Sequence, residues 1–182
     1  RNILTNIKKV EEFAPNNIVL LPLYPQFSTT TTESFLRAWY ASIAEKEINI
    51  PTSAVCCYPG ERNFIKTIGQ AVREEIEKSK LALTNLKVLF SAHGIPKKFV
   101  AAGDPYQTHV EKTVTAIVED LNITNLDYLT CYQSRVGPVE WLKPYTDTAI
   151  LEAANQEKTI MVVPVAFVSE HSETLVELDI EY

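Results

Sequence analysis

Two short stretches of this 182-residue chain carry side chains whose types and spacing could do chemistry. His93 follows the apolar run "KVLFSA" and precedes Gly94. An imidazole at the end of a buried strand can accept a proton or ligate a metal near neutral pH. The closing stretch, Ser169 to Tyr182, brings Glu170, His171, Glu173, Glu177, Asp179 and Glu181 together without one lysine or arginine. A helix would set Glu173, Glu177 and Glu181 in one row, and would turn Leu175, Leu178 and Tyr182 toward a different, packing face. Like charges four apart weaken a helix modestly. A solvated stripe would therefore be expected to mix in cations, whereas a row that attracts a hydrated cation accounts for the pattern. Carboxylates beside imidazole suit a divalent first-row metal better than thiolate-held metals. The bland readings are a solvated helix face and a core histidine.

Two aromatic stretches flank these groups. "YQSRVGPVEWL" sets Ser134 and Arg135 between Tyr132 and Trp141 around a Gly-Pro turn, and "YPQFS" supplies Tyr24. Such aromatics either pack or stack on a flat ligand. Cys56 and Cys57 in "SAVCCYP" read as strand residues facing opposite ways and as structural filler.

The elements that must position these groups alternate between strand and helix. Strands are expected at 17–23, 53–58, 87–94, 126–133 and 159–167. Helices are expected at 31–46, 61–80, after "GDPY", at 146–156 and over the acidic end. Thr30 with Glu33 forms a capping box, and Asp104 caps a helix with Pro105 at its first position. That helix buries Val110, Val114, Ile117, Val118 and Leu121. Alternation of this kind implies an α/β, Rossmann-like parallel sheet with helices on both faces. Ligands in such sheets lie beyond the carboxyl ends of the strands. "YPQFS", "SAHG", "YQSRVGP" and "SEHSE" should therefore line the site.

A boundary is expected near "INIPTS". Residues 1–47 form the tail of a first domain, and residues 48–182 a nearly complete second domain holding four strands. The first residue is Arg1 and the last falls within a helical pattern, so a fragment is expected.

Composition narrows the class. With 46% hydrophobic and 22% charged residues, the chain is that of a globular protein. A formal net charge of −6 and the lack of a basic stripe argue against a nucleic-acid partner. No segment has the ~20 apolar residues of a membrane span. Three cysteines without a C-x-x-C pair fit a reducing cytoplasm. No G-x-G-x-x-G phosphate loop is present, which excludes a dinucleotide-binding reading.

In order along the chain, "LLPLYPQFS", "LFSAHGIP", "GDPY", "YQSRVGPVEWLKP" and "PVAFVSEHSETLVELDIEY" resemble the ferrochelatases, which insert ferrous iron into a porphyrin. The resemblance implies two Rossmann-like domains with a porphyrin cleft between them. It matches His93 to the active-site histidine and Glu173 to the glutamate across the macrocycle, both serving the metal. It matches Glu170, His171, Glu177 and Glu181 to an acidic ion or proton path, and Tyr24, Ser134 and Trp141 to positions near the macrocycle. Iron enters as substrate. Some members hold an iron–sulfur cluster through a cysteine where this chain has Thr29, so no cluster is expected. Protoporphyrin IX is the expected partner, with coproporphyrin III, or binding without catalysis, as alternatives. Peripheral membrane association is compatible with the resemblance, and the sequence does not set the oligomeric state.

Overall fold

A computed structural model describes residues 3–80, 82–169 and 173–181. Helix α1 (Ile3–Phe13) precedes strand β1 (Ile18–Leu20), and helix α2 (Ser34–Glu45) leads to β2 (Thr52–Ala54). The strands pair in parallel with Leu20 opposite Ala54, and Ile7, Leu20 and Trp39 are buried together beside them. Hydrogen bonding thus crosses the expected 47/48 boundary. The second sheet holds three strands rather than the four expected after residue 52, because β2 is committed to β1.

Helix α3 (Arg62–Ser79) is followed by β3 (Leu86–His93), the short α4 (Lys97–Ala101), α5 (Tyr106–Leu121), β4 (Tyr128–Gln133), α6 (Thr146–Asn155) and β5 (Thr159–Pro164). The order β4-β3-β5 is parallel throughout, with β3 central and buried along most of its length. Alternation along β3 sorts the two faces. Val88, Phe90 and Ala92 join Val110, Val114, Ile117 and Leu121 of α5 and Ile65 and Val72 of α3. Leu89 turns the other way, to Cys131 and Ala149 of α6. Helices therefore cover both faces, and the stripe expected on α5 faces the core, with Val118 partly buried against it.

Several ends fall elsewhere than the sequence pattern places them. β1 stops at Leu20, and Pro22, which has no amide hydrogen for a ladder, instead accepts a hydrogen bond from the Tyr58 hydroxyl at 3.0 Å. The helix expected from residue 31 is entered through a π-helical segment, Thr29–Glu33, capped by Ser28 rather than Thr30. Ser28 Oγ accepts from the Thr30 amide at 3.1 Å, while Glu33 turns to Arg37. β2 ends at Ala54, so Cys56 and Cys57 lie outside any strand. Their sulfurs do not face opposite ways but lie 3.2 Å apart, since strict alternation holds only within a pleated strand. The acidic end is likewise a π-helix, Glu173–Glu181, in which Leu175 is 45% exposed instead of packed on the sheet.

α5 begins at Tyr106 with Pro105 at its N-cap, one residue later than the sequence implies, yet Asp104 still holds the first helical amide. Its Oδ1 accepts from the Tyr106 amide at 2.9 Å. Its Oδ2 accepts from Ser28 Oγ at 2.9 Å, the Thr29 amide at 2.8 Å and Thr29 Oγ1 at 2.6 Å. At 5% exposure, burial opposes ionisation, but the hydrogen bonds from Thr29, Tyr106 and Ser28 outweigh it and hold the carboxyl below its ordinary value of 3.8. Asp104→Ala leaves these donors without their acceptor and should cost about 2–4 kcal/mol in denaturant unfolding of the full-length protein. Because the folded value is the lower one, this contribution is complete above the unfolded value and is lost as pH falls through the folded one. The gap between the Asp104→Ala variant and the parent should accordingly narrow in acid, and equal stability at neutral pH would refute the assignment.

Candidate functional site

β3 delivers His93 to the carboxyl edge of the sheet, opposite Gln133 of β4. Gly94 then turns the chain against its neighbour, its amide donating to the Gln133 carbonyl at 2.8 Å. A Cβ at position 94 would stand 2.9 Å from that backbone oxygen, so the approach requires glycine. Tyr106, at the start of α5, donates its hydroxyl to the His93 carbonyl at 2.8 Å. The main chain bearing the imidazole is thereby held from two sides.

His93 opens into a cavity of about 370 Å³. One wall is the loop after β1, which contributes Tyr24, Gln26, Ser28, Thr30 and Thr31. The opposite wall comes from Gly94, Ile95, Pro96, Phe99 and Tyr106, with Trp141 beside them. Ala166 and Phe167, just past β5, close one end. Three strand ends therefore converge here, where the sheet rule places ligands. The lining is largely apolar and aromatic with a few hydroxyls, the character of a small-molecule site. Among the described lining residues, His93 is the one histidine.

The first wall is stitched onto the second sheet. Gln26 is buried, and its Nε2 donates to Thr113 Oγ1 at 3.0 Å and to the Val165 carbonyl at 2.9 Å. The Phe27 amide donates to His109 Nδ1 at 3.2 Å. Burial and the nearby Lys112 ammonium outweigh the attraction of Asp104 and keep the His109 imidazole below its ordinary value, so the neutral, accepting ring is favoured. Trp141 is placed by a fold-back of its own loop. Its Nε1 donates to the Val136 carbonyl at 3.0 Å, and Leu142 N donates to the Ile95 carbonyl at 3.1 Å.

The structure thus brings His93, Tyr24 and Trp141 to one cavity. Ser134 instead meets the acidic π-helix. Its amide donates to Glu177 Oε1 at 2.6 Å, its hydroxyl donates to Oε2, and Gln133 Nε2 reaches Oε2 at 3.4 Å. Ser134 adopts φ 66°, a left-handed conformation uncommon for a side chain larger than glycine's. Glu177 is therefore also a tether from the π-helix to the end of β4. Glu170 and His171, and the side chains of Glu173 and Glu181, lie outside the described residues. Among those described, no three His, Cys, Asp or Glu residues cluster as a metal site. Gln26 and Tyr106 line the cavity without a signal of their own in the sequence, since "YPQFS" points to its tyrosine and "GDPY" reads as a helix start.

The ferrochelatase family model matches residues 2–182. Ferrochelatase of Rickettsia bellii is 56% identical over 176 residues, covering 97% of this chain and 48% of that protein. Those of Rickettsia prowazekii and Pelagibacter ubique are 52% and 50% identical, again over 97% of this chain and 49% and 50% of theirs. The chain spans about half the length of the curated relatives it matches.

Glu177→Ala leaves the Ser134 amide and hydroxyl without their acceptor. Loss of a charged hydrogen-bond acceptor worth about 1.5–3 kcal/mol should speed amide exchange at Ser134 and across 174–180 by about 10- to 100-fold, with Glu177→Gln in between. Unchanged exchange in the alanine variant would show that the tether holds nothing.

Proposed function

The chain belongs to the ferrochelatase family, and from that premise we propose that the whole protein is a lyase that inserts ferrous iron into protoporphyrin IX. The single observation carrying this reading is the company of His93: a base at a strand end, in a largely apolar cavity walled by Tyr24 and Trp141. A flat tetrapyrrole offers apolar faces to such walls and inner nitrogens to such a base.

The reaction exchanges two pyrrolic protons for one divalent cation, so charge balances without any redox step. His93 is the proton acceptor on one face. Its backbone is fixed by the Tyr106 hydroxyl and by the neighbouring Gly94 contact, which limits the reorganisation needed as proton transfer begins. Glu173 guides the metal or completes proton removal from the other face. Glu170, His171, Glu177 and Glu181 form the ion or proton path. In that path Glu177 has a second duty, since Ser134 occupies its oxygens. Tyr24, Ser134 and Trp141 contact the macrocycle or shape the wall it meets. Residues 1–47 belong to the first half-domain and 48–182 to the second, with the β1–β2 pairing joining the two across that line. Among the described residues no helix is long and apolar enough to cross a membrane. Work in the cytoplasm, with or without peripheral contact at a membrane, is the compartment proposed from cysteine usage.

Full-length protein incubated with ferrous iron and porphyrin should shift the Soret band as metal enters. His93→Ala should slow that shift by at least about 10²-fold, the scale of a lost general base, while porphyrin still binds. Metallation undiminished in the variant would remove His93 from the chemistry. Running protoporphyrin IX and coproporphyrin III side by side decides the substrate, and binding without metallation in the parent would identify a porphyrin-binding module instead.

A further inference from the structure

Cys56 and Cys57 stand apart from the cavity, and neither is among its described lining residues. β2 ends at Ala54, and the segment that follows is fastened on both sides of the pair. The Val55 amide donates to the Leu20 carbonyl at 2.9 Å and the Tyr58 amide to the Pro25 carbonyl at 2.8 Å. Between these anchors the two sulfurs converge to 3.2 Å, with Cys56 exposed and Cys57 half-buried. Cys131 is of another kind, buried on β4 under α6 with its thiol pushed up by burial.

We propose that Cys56 and Cys57 form a vicinal dithiol that closes reversibly to a disulfide by exchange with low-molecular-weight disulfides. The exposed Cys56 thiolate attacks one sulfur of the small disulfide and expels one small thiol. Cys57 then attacks the Cys56 sulfur of the mixed disulfide and expels the second. Two cysteines are oxidised, one small disulfide is reduced to two thiols, and the two cysteine protons end on those thiols. Neighbouring α-carbons are about 3.8 Å apart, short of the roughly 4.4–6.8 Å that disulfides usually span. The ring is therefore strained, and a strained, exposed disulfide is readily reduced. The pair suits reversible sensing rather than permanent cross-linking. Burial, with the hydrogen bond and charge of Cys56, pushes the Cys57 thiol up to about 11, against the smaller pull of Lys112. In the mixed disulfide the hydrogen bond and charge of Cys56 no longer act on Cys57, but burial still holds its thiol up, so ring closure, which needs the Cys57 thiolate, quickens as pH rises.

The test equilibrates full-length protein across a series of reduced-to-oxidised glutathione ratios, quenches with an alkylating agent and maps the peptides by mass. Expected is a Cys56–Cys57 bond, marked by loss of two hydrogens, at the oxidising end only, with Cys131 alkylated after unfolding throughout. Closure should accelerate with pH, by up to about tenfold per unit, as the Cys57 thiolate fraction grows. Cys57→Ser should accumulate glutathione on Cys56. A stable glutathione adduct on Cys56 of the unmutated protein, alkylation of both thiols at every ratio, or no adduct in Cys57→Ser would each overturn the proposal.

Discussion

The candidate site depends on one buried carboxylate. Asp104 holds the first amide of α5 and, with its other oxygen, gathers Ser28 and Thr29 from the loop that follows β1. Two sheets that share no strand pairing are thereby joined at the point where their carboxyl ends meet. Gln26 and Phe27 extend the seam to Thr113, Val165 and His109, so four successive loop residues carry polar contacts to the second sheet and its helix. A surface contact between charged groups is worth little, but here the acceptor is buried and every donor would lose its partner together. The seam fixes one wall of the cavity relative to the other, and the spacing between walls is what a flat ligand would meet.

The opposite wall rests on a steric condition rather than a charge. Gly94 comes so near the Gln133 carbonyl that no side chain fits, and Tyr132 and Trp141 crowd the remaining space at 3.6 and 3.4 Å from where a Cβ would stand. That approach lets the loop carrying Trp141 fold back on residues 95–97 through the Leu142 and Lys97 amides. Histidine and tryptophan are thus set by the same close packing, one at the strand end and one on the returning loop. Tyr106 ties this wall back to α5, the helix whose first amide Asp104 holds, so the carboxylate seam and the glycine contact meet in a single helix end.

Much of this was legible in the residues, and the failures share a cause. The parallel sheet, the stripe on α5, the hold of Asp104 on the start of that helix and a cavity at the strand ends all follow from local periodicity and turn chemistry. His93 could be named from its place at a strand end, whereas Tyr24 and Trp141, which their own residues left between packing and stacking, were named through the family resemblance. Ser28 as the cap was not legible, because its choice over Thr30 depends on Asp104, 76 residues along the chain. The two π-helical segments were not legible either, since a spacing of four puts glutamates on nearly the same side of an α- or a π-helix. Assigning β2 to the first sheet required knowing its partner. The convergence of Cys56 and Cys57 reversed the expectation of a strand because the strand stops before reaching them.

The walls differ in how firmly they hold what they present. His93 belongs to the central strand, paired on one side at its end and backed by Tyr106, so its position is set by the core itself. The acidic π-helix has no strand of its own, and among the described contacts Glu177 is its bond to β4. On the proposed reading, a base that must not move faces carboxylates that must pass a cation or a proton. Ser134 engages the Glu177 carboxylate, so on that reading a cation or proton taking this path competes with the Ser134 amide and hydroxyl for the same oxygens.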